Sequence, residues 1–114
     1  MKVIINTDHN ILLAENSIAE MESLVQASLD HFASHLTRVE VHLTDASAGR
    51  STGDDIRCRL EARPERLNPE FASDDASSVD AALHGALQKM TRVLETVFGR
   101  REDARKSGGS VGGA

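Results

Sequence analysis

Val3, Ile4 and Ile5 follow one another without a polar break, and three β-branched residues in a row predict a short strand over Lys2–Asn6, covered on more than one side. Thr7-Asp8-His9-Asn10 ends it with turn-forming side chains. Ser17-Ile18-Ala19-Glu20 then has the form of a capping box, a hydroxyl for the N3 amide and a carboxylate reaching back to the cap. From there Ile18, Met21, Val25, Leu29, Phe32 and Leu36 recur at steps of three and four. That period predicts one helix to about His35, with Glu20, Glu22, Ser23 and Asp30 on its outer side.

Arg38–Asp45 alternates: Val39, Val41 and Leu43 fall on one face, Glu40, His42 and Thr44 on the other. Asp54–Arg63 repeats the device, with Ile56, Cys58, Leu60 and Ala62 inward and Arg57, Arg59, Glu61 and Arg63 outward. The Gly/Ser/Thr-rich stretch 46–53 between them suits a mobile hairpin loop, so the two strands are expected to be antiparallel neighbours. A weaker strand is expected over Leu67–Ser73, where Pro69 lacks an amide donor and favours an edge or a bulge. Asp74, Asp75, Ser77 and Ser78 offer N-caps for a second helix, whose apolar positions Val79, Leu83, Ala86, Met90, Val93 and Val97 run to an end near Gly99.

The element order is β-α-β-β-β-α. A right-handed crossover between a parallel first pair puts the first helix on one face of the sheet, and the second helix returns to that face. The fold class expected is α+β: a two-layer sandwich of a four-stranded mixed sheet with two helices on one face, the other face open to water. Residues 1–101 form a single domain in this reading. Residues 102–114, with four glycines in the last eight, are expected to be a disordered Gly/Ser-rich tail.

Composition changes this picture in one respect. The chain of 114 residues has 13 Lys and Arg against 18 Asp and Glu, a net charge of −5, which argues against bulk phosphate neutralisation. Arg100, Arg101, Arg105 and Lys106 face only Glu102 and Asp103 at the C-terminal end, so residues 1–99 hold nine basic against sixteen acidic residues. Yet eight of the basic residues lie between Arg57 and Arg101, and the acids concentrate in the first helix and in turns and caps. A polarised molecule with a local basic patch follows. The apolar runs fall far short of a spanning helix, and His9, Asn10 and their neighbours interrupt any signal-like stretch, so a cytoplasmic location without membrane contact is expected.

Candidate chemistry is sparse. No nucleophile elbow, phosphate loop or metal-ligand run is present, and the chain is read as a non-enzyme without cofactors. His31 and His35, four apart on one helix flank, have the spacing of two zinc ligands, but nothing identifies a third, and two semi-exposed histidines without a metal are the expectation. Cys58 faces inward as a small hydrophobe. Asp54-Asp55 and Asp74-Asp75 are explained by a strand start and a helix cap. Arg57, Arg59 and Arg63 can line an RNA-facing surface or pair across strands with Glu40 and other acids. With no Trp or Tyr, and Phe32 and Phe98 on or near core stripes, base stacking on the open face is disfavoured.

Three stretches carry a likeness to a known family: Ile4-Ile5-Asn6-Thr7-Asp8-His9-Asn10-Ile11, Thr37-Arg38-Val39-Glu40-Val41-His42-Leu43, and Ala72-Ser73-Asp74-Asp75 leading into Val79-Asp80-Ala81-Ala82. In order and length the chain resembles the bacterial ribosome hibernation promoting factors and ribosome-associated translation inhibitors, in a short form. The resemblance implies binding to the small ribosomal subunit and its ribosomal RNA near the decoding region, with translation inhibited under stress by steric exclusion. It also implies RNA contacts from Lys89, Arg92, Arg100 and Arg101 along the second helix, with secondary contacts from Arg38, Arg57 and Arg59. Typical members carry basic residues on the first helix, where this chain has Glu20, Glu22 and Asp30. The alternative reading is a protein-interaction module whose acidic helix binds a basic partner. Weak homo-oligomerisation stays open in both.

Overall fold

A computed structural model describes residues 1–8, 11, 13–45 and 55–109, with side chains to Gly99 of the last helix. Four strands, β1 (Lys2–Thr7), β2 (Leu36–Asp45), β3 (Ile56–Pro64) and β4 (Glu70–Ala76), form one sheet in the order β1-β2-β3-β4. β1 runs parallel to β2, and the other two pairs are antiparallel. Helix α1 (Glu15–Ser28) supplies the crossover and lies over β1, while α2 (Val79–Gly109) lies over β3 and β4. The expected mixed sheet with two helices is therefore the observed α+β architecture. The loop expected over 46–53, His9, Asn10, Asp54 and residues 110–114 lie outside the described residues.

The core forms where alternating strand positions meet the helix stripes. Val39, Val41, Leu43, Cys58, Leu60 and Ala62 are fully enclosed against Val25, Leu29, Leu83, Met90 and Leu94. β1 is an edge strand, and Val3, Ile4 and Ile5 are only partly buried, so the unbroken apolar run marks a strand covered less than expected. β4 is the other edge. It starts at Glu70, just past Pro69, because a proline cannot donate to the ladder.

Several boundaries moved for local reasons. The capping box is not formed: α1 starts at Glu15, whose carboxylate suits the helix N-terminus, and Ala14 at the cap makes no side-chain bond. α1 stops at Ser28 rather than near His35, because Leu29 leaves helical geometry (φ −108°, ψ 13°) and Asp30–His35 tightens into a 3-10 helix. The Phe32 amide donates to the Leu29 carbonyl at 2.9 Å, a three-residue repeat that turns Phe32 into the core. Its ring stacks on Phe98 at 5.7 Å, and His35 tilts against the same ring at 5.2 Å. At three residues per turn, His31 and His35 no longer share a flank. Among the described residues no group of three His, Cys, Asp or Glu could hold a metal ion.

Asp74 and Asp75 lie inside β4 and cap nothing; Ser78 is the cap, its Oγ accepting from the Ala81 amide at 3.1 Å. α2 does not end near Gly99 but runs through Gly109, so residues 102–109 of the expected tail are helical. Its buried face also turns toward Leu87, Leu94 and Phe98, while Val79 and Val93 sit at the margin. No described helix is long and apolar enough to cross a membrane.

α2 packs tightly against β4 at Gly85. A Cβ built there would collide with the Asp74 carboxylate, so a side-chain-free position is required where helix and edge strand touch. Asp74 cannot swing aside freely, because Lys89 Nζ holds its Oδ1 at 2.9 Å. Gly85→Ala is therefore expected to lose about 1–2 kcal/mol in urea unfolding despite the better helix propensity of alanine. In an Asp74→Ala background the same change should be neutral or stabilising.

Cys58 is enclosed between the layers. Burial first, and the neighbouring Asp74 charge second, push its thiol up from 9.0 to about 12. The protonated thiol thus favours the fold below pH 9, an advantage lost as pH rises toward 12. Alkylation at pH 8 should be slower in the native protein than in the urea-unfolded chain by about a thousandfold from thiolate fraction alone, read by mass spectrometry.

Candidate nucleic-acid interface

The sheet face away from the helices is built from the other set of alternating residues. Register places Arg38 opposite Arg63, Glu40 opposite Glu61, His42 opposite Arg59 and Thr44 opposite Arg57. On the far side of β3, Arg57 faces Asp75, Arg59 faces Ser73 and Glu61 faces Phe71. Four arginines thus share one surface, but the acids divide them into two groups with different electrostatics.

The first group surrounds a like-charge pair. Glu40 and Glu61 sit directly opposite each other, an arrangement that destabilises a sheet unless cations are supplied. Arg63 supplies them: its Nε and Nη2 both lie 2.7 Å from Glu61 Oε2, and Nε is 3.8 Å from Glu40 Oε2. Arg38 Nη2 adds a contact to Glu40 Oε2 at 3.2 Å, while its Nε is enclosed without a hydrogen-bond partner. Enclosure pushes the Glu61 carboxyl up, but the Arg63 hydrogen bonds and charge outweigh it, and the group stays below the ordinary carboxylate range. At this end of the sheet the arginines pair with acids, mainly along their own strands at i and i+2, with one longer cross-strand contact from Arg63 to Glu40.

The second group lies further along β3, its centre about 13 Å away, at the β4 edge. Arg57 Nε and Nη2 reach the two oxygens of Asp75 at 2.8 and 3.1 Å, a bidentate pair. These hydrogen bonds, offset in part by burial and helped by the charges of Arg57 and Lys89, lower the Asp75 carboxyl, and Arg57 is raised in turn. A lowered acid keeps the pair intact at the ordinary carboxylate value and above, and releases it as pH falls below that value. Lys89, reaching from α2 past the end of the layer, donates to Asp74 Oδ1 and to the Ser73 carbonyl, each at 2.9 Å. Arg59 has no carboxylate within salt-bridge distance among the described residues; its guanidinium carbon lies 4.9 Å from the centre of the Phe71 ring.

Arg57, Arg59, Ser73, Asp74, Asp75 and Lys89 together line an open cleft of about 450 Å³ across the β4 edge. Arg57, Arg59 and Lys89 are the candidate residues that the fold brings together. Arg38 is at the opposite end of the open face. Arg92, one turn beyond Lys89 on α2, is exposed and has no ion-pair partner among the described residues. Arg100 and Arg101 continue α2 away from the cleft, and their side chains lie outside the described residues.

Phe71 is the residue that the hydrophobic pattern missed. It is 48% exposed on the open face, so that face does carry an aromatic ring. Strand parity was the available signal: Phe71 has the same phase as the outward Ser73 and Asp75, while Ala72, Asp74 and Ala76 point to the helices.

The fold has a solved counterpart. The N-terminal domain of Protein Y from Thermus thermophilus matches 85% of this chain and 99% of its own length with a TM-score of 0.66, at 12% sequence identity. That likeness establishes the architecture and carries no residue roles. No family model and no curated protein matches the chain.

If the carboxylates restrain the cleft cations, removing them should free charge for phosphate. Asp74→Asn with Asp75→Asn is expected to tighten binding to single-stranded RNA and to steepen the plot of log K against log salt by about 0.7 per cation released. Glu20→Gln with Glu22→Gln changes net charge equally, far from the cleft, and should leave the slope unchanged.

Proposed function

We propose that this protein is a ribosome-associated factor that binds the small subunit near the decoding region and lowers translation under stress by occupying that space. It acts in the cytoplasm by steric exclusion and carries out no reaction. The observation that carries this reading is the convergence of Arg57, Arg59 and Lys89 on one cleft at the β4 edge, in a chain with three short stretches that resemble the hibernation factors and a fold shared with the N-terminal domain of Protein Y. Arg92, Arg100 and Arg101 extend the same cationic line along α2, and Arg38 contributes from the far end of the sheet.

Docking on this reading is an exchange of partners. Asp74 and Asp75 hold Lys89 and Arg57 in place until phosphate oxygens take over from the carboxylates, and the exchanged contacts remain charge-assisted. Because the acids must be displaced, each contact contributes less than a free cation would. Nonspecific RNA binding is correspondingly weak, which suits a chain of net charge −5.

A second reading rests on α1. Glu15, Glu20 and Glu22 are exposed and make no ion pair among the described residues, and a groove of about 470 Å³ beside them is lined by Leu13, Met21, Leu24 and Val79. An interaction module for a basic protein would use this side.

Co-sedimentation separates the two. In low magnesium and low salt the protein should pellet with purified small subunits and be released as salt rises. Lys89→Ala with Arg92→Ala should flatten the salt slope by about 1.4, two phosphate contacts' worth. A protein that stays in the supernatant under all those conditions is not a ribosome factor, and the α1 reading then takes its place.

A further inference from the structure

We infer that Phe71 and Arg59 form a stacking platform for one unpaired RNA base, with the cleft beside them taking the adjoining phosphate. This deepens the ribosome reading by naming what the open sheet face recognises.

Three observations lead there. Phe71 is one of two large apolar side chains left exposed among the described residues, the other being Leu67 in the turn before β4. A strand position opposite Glu61 holds its ring on the sheet surface, whereas Phe32 and Phe98 are consumed in the core. Arg59 covers the ring at 4.9 Å and, unlike Arg38, Arg57, Arg63 and Lys89, has no carboxylate within salt-bridge distance among the described residues. A guanidinium over an aromatic ring presents a surface on which a base can lie; Glu61 is near enough to feel the Arg59 charge but makes no ion pair with it.

The surroundings favour a nucleotide over an apolar partner. His42 flanks Arg59 on β2 and Ser73 flanks it on β4, both of them hydrogen-bonding residues suited to a base edge. Arg57 and Lys89 line the cleft next to this pair. A base on the platform therefore puts its sugar-phosphate toward two cations, the arrangement by which single strands are held without sequence readout. A structural role alone would be met by an aliphatic side chain shielding the Arg59 stem, and that difference can be measured.

The chain contains no tryptophan, so Phe71→Trp introduces a single indole whose fluorescence reports stacking directly. Titration with short single-stranded polyadenylate should quench it, and an abasic strand of the same length should not. Phe71→Leu keeps the apolar bulk and should weaken polyadenylate binding about tenfold without altering the salt slope, since stacking releases no counterions. Phe71→Trp should bind at least as well as the parent, with urea midpoints verifying that each variant is folded. No quenching at low salt, equal quenching by the abasic strand, or parent-like binding by Phe71→Leu overturns the proposal. The two readings fail separately. A parent protein that pellets with small subunits while Phe71→Leu behaves identically sinks the platform and leaves the ribosome reading standing. Base-dependent quenching in a protein that never pellets does the reverse.

Discussion

Leu83, Ala86, Leu87, Met90 and Leu94 form a stripe on α2 whose only escape from water is the face of β3 and β4, and the rest of the domain is arranged around that burial. Once α2 is seated, Cys58, Leu60 and Ala62 must point toward it, and pleat alternation sends Arg57, Arg59, Glu61 and Arg63 to the opposite side. α1 completes the same layer over β1. The open face is thus the complement of a one-sided core among the described residues. Gly85 sets how near the helix can come, and Asp74, wedged beneath it, is where the apolar layer gives way to charge.

The open face shows how one surface can hold both structural and available cations. Two glutamates opposite each other demand two arginines, and Arg63 and Arg38 are committed by that demand. Moving along β3 the ratio changes: Arg57 is matched by an acid on the exposed edge strand, and Arg59 by an aromatic ring. The gradient runs from ion pairs whose acids are largely enclosed to ones exposed on both sides, whose net contribution to stability is small because water competes for both partners. Structural commitment is weakest at the β4 edge, the end of the face where binding is proposed.

Much of this was legible in the residue pattern. The parallel first pair and the antiparallel β2–β3 pair follow from alternation and from the rule of right-handed crossovers, and the outward row of β3 was read position by position, whereas the pairing of β4 with β3 was not specified. What escaped the pattern were features decided by tertiary contact. The 3-10 turn at Asp30–His35 arises because Phe32 must meet Phe98, a partner far away in the sequence. Asp74-Asp75 have the composition of a helix cap, yet the β3 register drew them into a strand. Phe71 was overlooked because an aromatic residue is ordinarily assigned to the core, and only the phase of β4 reveals that it faces water. The end of α2 near Gly99 was misjudged because a glycine there is not tied to a turn: apart from the helix itself, no described atom lies within 4 Å of a Cβ placed at that position, and the helix runs on to Gly109.

The bond from Lys89 to the Ser73 carbonyl reaches beyond ligand binding. β4 is a sheet edge seven residues long, and an edge strand of that kind is a template on which another chain can add a strand of its own. An ammonium group seated at a carbonyl in its middle puts a fixed charge where an incoming backbone would have to lie flat. Of the two sheet edges, β4 is thereby made the poorer template for edge-to-edge growth.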